Sequence, residues 1–308
     1  MTPPKYRPWI AAAASFQIGL KPSDPATWID VTDGYAAFMA EKRQRLDGLP
    51  PLYYRTLPES LPAQEELRDL IVAHLLAQHG QHFTRRGDHL HCAIDDMVHA
   101  INKGEPLAAI SMAIEEDFML LKPGDGKVTI TAASNAYTTS GRIVSSVGHP
   151  MQWAHEHVPK LNDQLGPRVD RVLANIKPGQ PVERFNWAIT PIATLFFPDS
   201  PHEANVAAAG KIAEDLSRDP SNCGAQLWLR AERQILVRLP QTGAIAFSLH
   251  TYSDPLQSLS EDPESLTAIA ALLTGYDEDR LRYSAMTELR APVLEWIEQQ
   301  TACITEPA

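Results

Sequence analysis

The segment "LWLRAERQILVRLPQTGAIAFSLHTYSDPL", residues 227–256, decides the fold prediction. Its two halves are rich in β-branched, aromatic and other apolar residues, and each alternates in the manner of a strand. Only the short stretch around Gln241, Thr242 and Gly243 separates them, and it contains turn-forming residues. The segment therefore predicts two antiparallel strands joined by a tight turn.

Strand alternation divides the first half into two rows of side chains. One row contains Leu227, Leu229, Ala231, Arg233, Ile235 and Val237. The other row contains Trp228, Arg230, Glu232, Gln234, Leu236 and Arg238. Two interpretations of this second row are open. It is either a solvated face with cross-strand ion pairs or the wall of a polar pocket, in which Arg binds carboxylates and Glu orients a cation or relays a proton.

Working outward, the chain predicts helices before and after a group of strands. Helical spacing predicts a helix over about Asp33–Asp47 and another within residues 60–80. The run "IEEDFMLLKPGDGKVTITAAS", residues 114–134, predicts a second hairpin, and residues 182–198 predict a further strand. Residues 262–300 predict two or three helices. This order indicates an α+β chain with a central antiparallel sheet.

Two stretches predict their structure less directly. The segment "HLHCAIDDMVHAINKG", residues 89–104, is expected to form a helix or a mixed element. The alanine-rich segment 203–219 is expected to be helical, with an interruption at Gly210.

Composition excludes several classes of function. The 308 residues include 27 Lys and Arg and 38 Asp and Glu, a formal net charge of −11. Such an acidic chain argues against nonspecific binding to nucleic acid or to anionic membranes. There is no run of 18 apolar residues and no signal-peptide pattern, so we expect no membrane partner.

The three cysteines, Cys92, Cys223 and Cys303, are widely separated in the sequence. Their number is odd and no Cys-x-x-Cys motif occurs, so neither a disulfide framework nor a cysteine-ligated zinc or iron–sulfur site is expected. This usage is typical of a reducing cytoplasm.

The segment "HPMQWAHEHVP", residues 149–159, carries three histidines within nine positions. They are His149, His155 and His157. Neutral imidazole is a good ligand for metal ions and for haem iron. From the residues alone, the segment is either an iron or metal site or a histidine-rich loop.

Together these stretches resemble the haem-dependent oxidative N-demethylase family. The most specific similarity is the Arg-x-Glu-Arg-Gln-x-Leu-x-Arg-Leu-Pro run from Arg230 to Pro240, followed by a strand that ends at Thr251 and Tyr252. Weaker similarities occur in the same order as in the family, from about residue 52 to 297. They are "QEELRDLIVAHLL", "EEDFMLL", "HEHVP", "RFNWAI" and "LRYSAMTELRAPVLEWI".

The resemblance implies a single domain over residues 1–308 that binds haem b. Its fold would be a PAS-like antiparallel sheet wrapped by helical extensions over about residues 1–110 and 260–308. Molecular oxygen and a small secondary amine would meet beside the iron, and formaldehyde would be released. Electrons would come from NADPH through the flavin and iron–sulfur centres of a separate reductase, which agrees with the lack of cysteine ligands in this chain.

The resemblance also implies roles for individual residues. His155 aligns with the histidine of the family's His-x-Pro-Val-Pro turn and is the expected iron ligand. His157 stands where the family has Pro, and His149 has no counterpart. Arg230 and Glu232 are the expected catalytic residues: Arg230 would stabilise developing negative charge or hold a propionate, and Glu232 would balance a protonated amine. The further expected cofactor contacts are Arg184, Asn186, Trp187, Arg233, Gln234 and Arg238. For Trp187 a core position is the competing interpretation.

The chain departs from the family pattern in two places. Residues 136–144, "AYTTSGRIV", replace a Phe-Pro-Ser-x-Trp segment, and His157 replaces a proline. Both departures adjoin the expected haem site, so they bear on the choice of amine more than on haem binding. Because PAS scaffolds also serve as receptors, a haem-binding gas or ligand sensor without turnover is the alternative function.

Overall fold

The computed structural model describes residues 3–12, 18–124, 126–137, 142–154, 169–195 and 201–305. The chain divides into two compact units. Unit 1 comprises Met1–Gly19, Phe185–Glu232 and Thr251–Ala308, and unit 2 comprises Leu20–Arg184 and Arg233–His250.

The strands of the described ranges form two sheets. In chain order they are β1 (Lys21–Pro22), β2 (Tyr54–Thr56), β3 (Phe83–Arg86), β4 (His89–Cys92), β5 (Met97–Ala100), β6 (Asp117–Pro123), β7 (Val128–Ser134), β8 (Val182–Thr190), β9 (Trp228–Arg238) and β10 (Ile245–Pro255). The larger sheet has the strand order β1-β8-β9-β10-β6-β7-β2, and the smaller has the order β3-β4-β5.

Helices occupy most of the remaining described residues. In chain order the α-helices are α1 (Tyr35–Leu46), α2 (Leu61–Gln78), α3 (Pro106–Ser111), α4 (Arg142–Ser145), α5 (Met151–Ala154), α6 (Pro201–Arg218), α7 (Cys223–Gln226), α8 (Pro263–Gly275), α9 (Glu278–Tyr283) and α10 (Arg290–Thr305). Short 3₁₀ helices lie at Pro8–Ala11, Pro25–Thr27, Pro58–Ser60, Pro220–Asn222 and Leu256–Leu259.

The sheet in unit 2 is buried on both faces. Phe118 and Leu120 of β6 belong to an apolar core that also contains residues of α1, α2 and α3. Their neighbours Met119 and Leu121 belong to a second core, which includes Val144 of α4 and Met151 of α5. Because both faces are covered, β6 is almost continuously apolar after its first residue.

Tight turns fix both predicted hairpins. Strands β6 and β7 pair in antiparallel fashion with a register shift between Leu120 and Leu121. After β9, the amide of Leu239 donates to the carbonyl of Ala244 at 2.8 Å, and Gly243 has a φ of +70°. A left-handed conformation of this kind favours glycine, which explains its position before β10.

Unit 1 packs its helices around an apolar core that includes Trp9, Leu216 and Trp296. Aspartates begin two of these helices. Asp262 accepts a hydrogen bond from the amide of Ser265 at the start of α8, and Asp277 accepts one from the amide of Arg280 at the start of α9. Such N-caps satisfy amides that have no partner within the helix.

The predicted α+β class and the antiparallel sheet are confirmed. The helices expected within residues 33–47 and 60–80 are α1 and α2, and the predicted C-terminal helices are α8, α9 and α10. The PAS-like arrangement and the single domain over residues 1–308 stay predictions. Within the described ranges, every helix is too short or too polar to traverse a bilayer.

Two local expectations are corrected by the structure. For residues 89–104 the helical alternative is wrong, since they form strands β4 and β5: burial alternates with period two from His89 to Cys92, and Asp96 adopts a φ of +54° in the turn. Helix α6 continues through Gly210, because one glycine lowers helix stability by only about 1 kcal/mol and the flanking residues favour the helix.

Candidate functional site

The polar row of β9 lies inside the protein. Arg230, Glu232 and Gln234 of this row are each less than one-tenth exposed, at 5%, 6% and 8%. Arg233, on the opposite face of the strand, is 4% exposed. The interpretation of this row as a solvated face is therefore wrong. Charged side chains are buried only where partners offset the loss of hydration, so each of these residues must be accounted for by its contacts.

In unit 1, Arg230 and Glu232 form a buried ion pair. The Nε atom of Arg230 lies 3.5 Å from Oε1 of Glu232, and its Nη2 atom donates to the carbonyl of Leu195 at 2.9 Å. A longer contact of 3.4 Å joins Nη1 to the carbonyl of Thr194. Burial lowers the pKa of the guanidinium, whereas the Glu232 carboxylate opposes this shift. The carbonyls and Glu232 thus hold the Arg230 head group in a fixed orientation.

The charge of Glu232 also affects the pKa of Tyr283 in α9. Burial raises the pKa of the Tyr283 phenol, the Arg280 guanidinium opposes the rise, and the Glu232 carboxylate adds to it. The guanidinium carbon of Arg280 lies 5.9 Å from the centroid of the Tyr283 ring. A neutral phenol thus accompanies the buried ion pair. Sequence reasoning missed this residue, although it lies in the quoted segment "LRYSAMTELR", because a tyrosine near a helix end has no distinctive pattern.

In unit 2, Arg233 is held by acidic residues of other segments. It lies 3.4 Å from Asp30 and 3.2 Å from Glu183, and it also donates to the hydroxyl of Thr27 at 3.3 Å. Through its guanidinium, Arg233 of β9 thus contacts both the N-terminal part of unit 2 and strand β8. The expected contact of Arg233 with a cofactor stays a prediction.

Arg238 lies at the end of β9 and is half-buried. Its Nη2 atom donates to the carbonyls of Leu173 and Ala174 at 3.2 and 2.9 Å. Gln234 is buried in the same unit, four positions earlier on the strand.

The expected contacts on β8 differ in exposure. Arg184 is half-buried and belongs to unit 2, whereas Asn186 is exposed and belongs to unit 1. Trp187 packs edge-on against Trp9, with ring centroids 5.8 Å apart, beside the core of unit 1. This position favours the core interpretation of Trp187.

Of the three histidines, only His149 lies within the described residues. His155 and His157 lie outside them, as do residues 138–141 of the departing segment. The exposed imidazole of His149 stacks on Trp153, with centroids 4.6 Å apart. The amide of Ile130 in β7 donates to the carbonyl of His149 at 3.1 Å, so the histidine segment begins beside this strand.

Unit 2 also contains a buried carboxylate cluster, which we define as Glu115, Glu116 and Asp117. Each is 1–2% exposed. The fully buried ammonium of Lys42 lies 3.2 Å from Asp117 and donates to the carbonyls of residues 114–116. His250 of β10 lies 3.3 Å from Glu116. Three consecutive acids directly before an apolar strand were the available signal, but sequence reasoning assigned them no role.

Potential metal ligands were compared in the part of the chain that the structure describes. There, no three His, Cys, Asp or Glu side chains are arranged to hold a metal ion. Cys92 and Cys223 are buried free thiols, and Cys303 is exposed.

The chain was compared with known protein families. Residues 19–294 match the family described as haem-dependent oxidative N-demethylase, alpha subunit-like. The matched range includes strands β8, β9 and β10 and the histidine segment, residues 149–159.

Proposed function

The chain belongs to the haem-dependent oxidative N-demethylase alpha subunit-like family, and on this premise we propose that it is a haem-dependent monooxygenase acting on a small amine. The family match over residues 19–294 is the observation that carries the proposal. The substrate class, the use of oxygen, haem b as the cofactor and a PAS-like single domain are parts of the proposal.

Features of unit 2 fit a haem group. Met119, Phe247 and Leu249 are buried, and Phe247 pairs directly with Met119 across β10 and β6. These side chains belong to the same apolar core as Met151 of α5. The macrocycle requires an apolar environment of this kind, together with one imidazole. Because His155 aligns with the histidine of the family's His-x-Pro-Val-Pro turn, we propose His155 as the iron ligand.

Features of unit 1 fit a small cationic substrate. The carboxylate of Glu232 is buried beside Arg230 and Tyr283. A carboxylate in such surroundings attracts a protonated amine strongly, because little water screens the charge. We propose that Glu232 binds the ammonium group and that Arg230 fixes the orientation of Glu232. Arg230 would also stabilise negative charge that develops during the reaction or hold a propionate.

The remaining expected contacts have supporting roles in the proposal. Gln234, Arg238, Arg233, Arg184 and Asn186 would orient the cofactor or the segments around it, with Arg184 and Arg238 as candidate propionate partners. Trp187 is the weakest candidate, because it packs against Trp9.

When bound, haem b would supply the site of oxygen reduction. For an N-methyl secondary amine, the balanced reaction is amine plus O₂ plus NADPH plus H⁺ giving the demethylated amine, formaldehyde, water and NADP⁺. The C–H bond next to nitrogen is broken, and the resulting carbinolamine releases formaldehyde. The residues of this chain would bind the amine, exclude water and hold the ammonium proton at Glu232.

The family's printed description as alpha subunit-like supports a partner subunit. We propose that this partner is a flavin and iron–sulfur reductase that uses NADPH. The free thiols Cys92 and Cys223 support a reducing location, and we propose the cytoplasm.

Haem binding is tested by titrating the purified protein with haemin and recording the absorption spectrum. The proposal expects a saturable Soret band with wild type and with His149→Ala, and its loss with His155→Ala. Persistence of the wild-type spectrum in His155→Ala, with loss in His157→Ala, would move the ligand to His157. Failure of the wild-type protein to form any specific haem complex would contradict the proposed function.

A further inference from the structure

We propose that strand β5 is a docking edge through which two copies of the chain pair in antiparallel fashion. The pairing joins the smaller sheets of the two copies, β3-β4-β5, into one continuous sheet around a twofold axis. The inference concerns residues 83–104 of unit 2, goes beyond the proposed function and does not depend on haem binding.

Strand β5 is an open edge of the smaller sheet. Within the described residues its only strand neighbour is β4. The amide of Ile101 donates to the carbonyl of Asp88 at 2.9 Å, which continues the ladder between β4 and β5. Every second residue of an antiparallel strand bonds to its partner, so His99 also faces β4. The main-chain groups of Val98 and Ala100 therefore point away from β4, towards the open edge.

The side chains of β5 do not protect this edge. Val98 is 56% exposed, the highest value among the large apolar side chains of the described residues, and its neighbour Met97 is 40% exposed. The strand, Met-Val-His-Ala, contains no lysine or proline, which are common means of blocking an edge. The opposite edge, β3, does carry two exposed arginines, Arg85 and Arg86. Of the two edges, β5 is thus the one suited to strand pairing.

The charges beside β5 favour a second copy as the partner. Asp96 directly precedes the strand, and its side chain is 95% exposed although it contacts His91 at 2.8 Å. Lys103 follows the strand, is exposed and forms no ion pair with the described residues. Antiparallel pairing brings the acidic end of each strand beside the basic end of the other. A partner strand with charges of one sign would be repelled at one of the two ends.

Main-chain bonds and apolar contact supply the affinity in this pairing. The outward-facing groups allow Val98 of one copy to lie opposite Ala100 of the other, and such a pair exchanges two hydrogen bonds. Opposite residues lie on the same face, so each valine side chain covers the alanine of the other copy. Exposed ion pairs add little affinity, so Asp96 and Lys103 select the direction of pairing. Because a contact between two short strands is small, we expect a reversible dimer with a Kd of about 1–100 μM.

Sedimentation equilibrium of the full-length protein, from about 1 to about 200 μM, tests the docking edge. Wild type should follow a monomer–dimer equilibrium. Val98→Lys should raise the Kd at least about tenfold, because a charged side chain on the edge opposes pairing. Since Val98 is exposed, the variant should fold, which near-ultraviolet circular dichroism checks. The matched control is Val206→Lys, at a 45% exposed valine of α6, which should dimerise as wild type does.

A charge reversal tests the direction of pairing. Lys103→Glu places like charges together at both ends of the paired strands, so the dimer should weaken about threefold at low salt, and by less at high salt because salt screens exposed charges. A wild-type chain that stays monomeric over the whole concentration range overturns the docking edge. Unchanged dimerisation of folded Val98→Lys also overturns it, because the two copies would then associate through another surface.

Discussion

At the scale of single residues, the buried pair of Arg230 and Glu232 is the feature that most requires a functional explanation. Taking two charges out of water costs several kcal/mol, and a pair with contacts of 3.5 Å recovers this cost only in part. Apolar side chains of the same size would stabilise β9 at least as well. The proposed function gives these buried charges a role, the binding of a protonated amine at Glu232.

Glu232→Gln tests that explanation. If Glu232 binds a protonated amine, removal of its charge should weaken amine binding by about 10- to 100-fold, the effect of losing a charge-assisted hydrogen bond of about 1.5–3 kcal/mol. Amine-induced changes in the Soret spectrum of the haem-loaded protein measure this affinity. The exposed Glu214 gives the control, and Glu214→Gln should bind as wild type does. Unchanged affinity in Glu232→Gln would remove Glu232 from the substrate site.

The buried imidazole of His99 should make the stability of the protein depend on pH. Burial lowers the pKa of this imidazole from 6.5 to about 4, Arg43 adds to the shift, and Asp95 opposes it. Because the folded-state pKa is depressed, the contribution of His99 is fully present above pH 6.5 and is lost as the pH falls towards 4. The free energy of unfolding should therefore fall by up to about 3 kcal/mol over this window from His99 alone.

The difference between wild type and His99→Gln, measured by urea unfolding across the same pH range, isolates this contribution. The variant should lose less stability than wild type on acidification, whereas His89→Gln, an exposed histidine of the same sheet, should not differ from wild type. Parallel pH profiles for wild type and His99→Gln would show that folding does not shift the pKa of His99, which contradicts the prediction.

Alternation along the sequence was sufficient to single out Arg230 and Glu232, but it could not show whether their row faced solvent. That distinction depends on which segments cover the strand, and the carbonyls of Thr194 and Leu195 that orient Arg230 are more than 30 positions away. Tyr283 and His250 were missed for the same reason, because their partners come from remote segments.

At the scale of elements, the hairpin of β9 and β10 is stabilised by a helix far away in sequence. Glu66 of α2 accepts hydrogen bonds from the amides of Gln241 and Thr242 at 2.7 and 2.8 Å and from the Thr242 hydroxyl at 2.7 Å. Glu66 is 6% exposed. A single carboxylate therefore fixes the turn and, through it, the register of β9.

Glu66→Gln should destabilise the protein by about 1.5–3 kcal/mol, because a neutral amide cannot replace three charge-assisted bonds to a carboxylate. Urea unfolding measures the change. The exposed Glu65 on the same helix is the matched control, and Glu65→Gln should change stability by less than about 0.5 kcal/mol. Equal stabilities of the two variants would show that the carboxylate does not hold the turn.

Lys42→Met tests how α1 is attached to the sheet. The variant should lose about 3–5 kcal/mol, because Asp117 would remain buried without its ammonium partner. The exposed Lys103 provides the control, and Lys103→Met should unfold at the wild-type urea concentration. If Lys42→Met is as stable as wild type, another group must neutralise Asp117.

Elements with strong periodicity were predicted correctly, and those that depend on packing were not. Helices α1 and α2 followed from helical spacing, and the hairpins followed from their turn residues. In residues 89–104, by contrast, apolar residues are spaced ambiguously, and the choice of strand is made by pairing of β4 with both β3 and β5.

At the scale of the whole molecule, sequence order predicted an α+β chain with an antiparallel sheet, but it could not predict the strand order. Strand β10 lies next to β6 rather than at an edge, and this long-range pairing places His250 beside the buried carboxylate cluster. The family match over residues 19–294 is the basis of the proposed chemistry. Oxidation of an amine by the haem-loaded protein would distinguish an enzyme from a haem-binding sensor.

Formaldehyde release is the most direct measure of the proposed amine oxidation. Haem-loaded protein is supplied with NADPH, a flavin reductase and an iron–sulfur electron carrier, together with a panel of small N-methyl secondary amines. We expect formaldehyde release with at least one amine, in a ratio approaching one per NADPH, and none without oxygen, haem or amine. Haem that is reduced by the carrier and reoxidised by oxygen, without formaldehyde from any amine, would contradict it and favour the sensor.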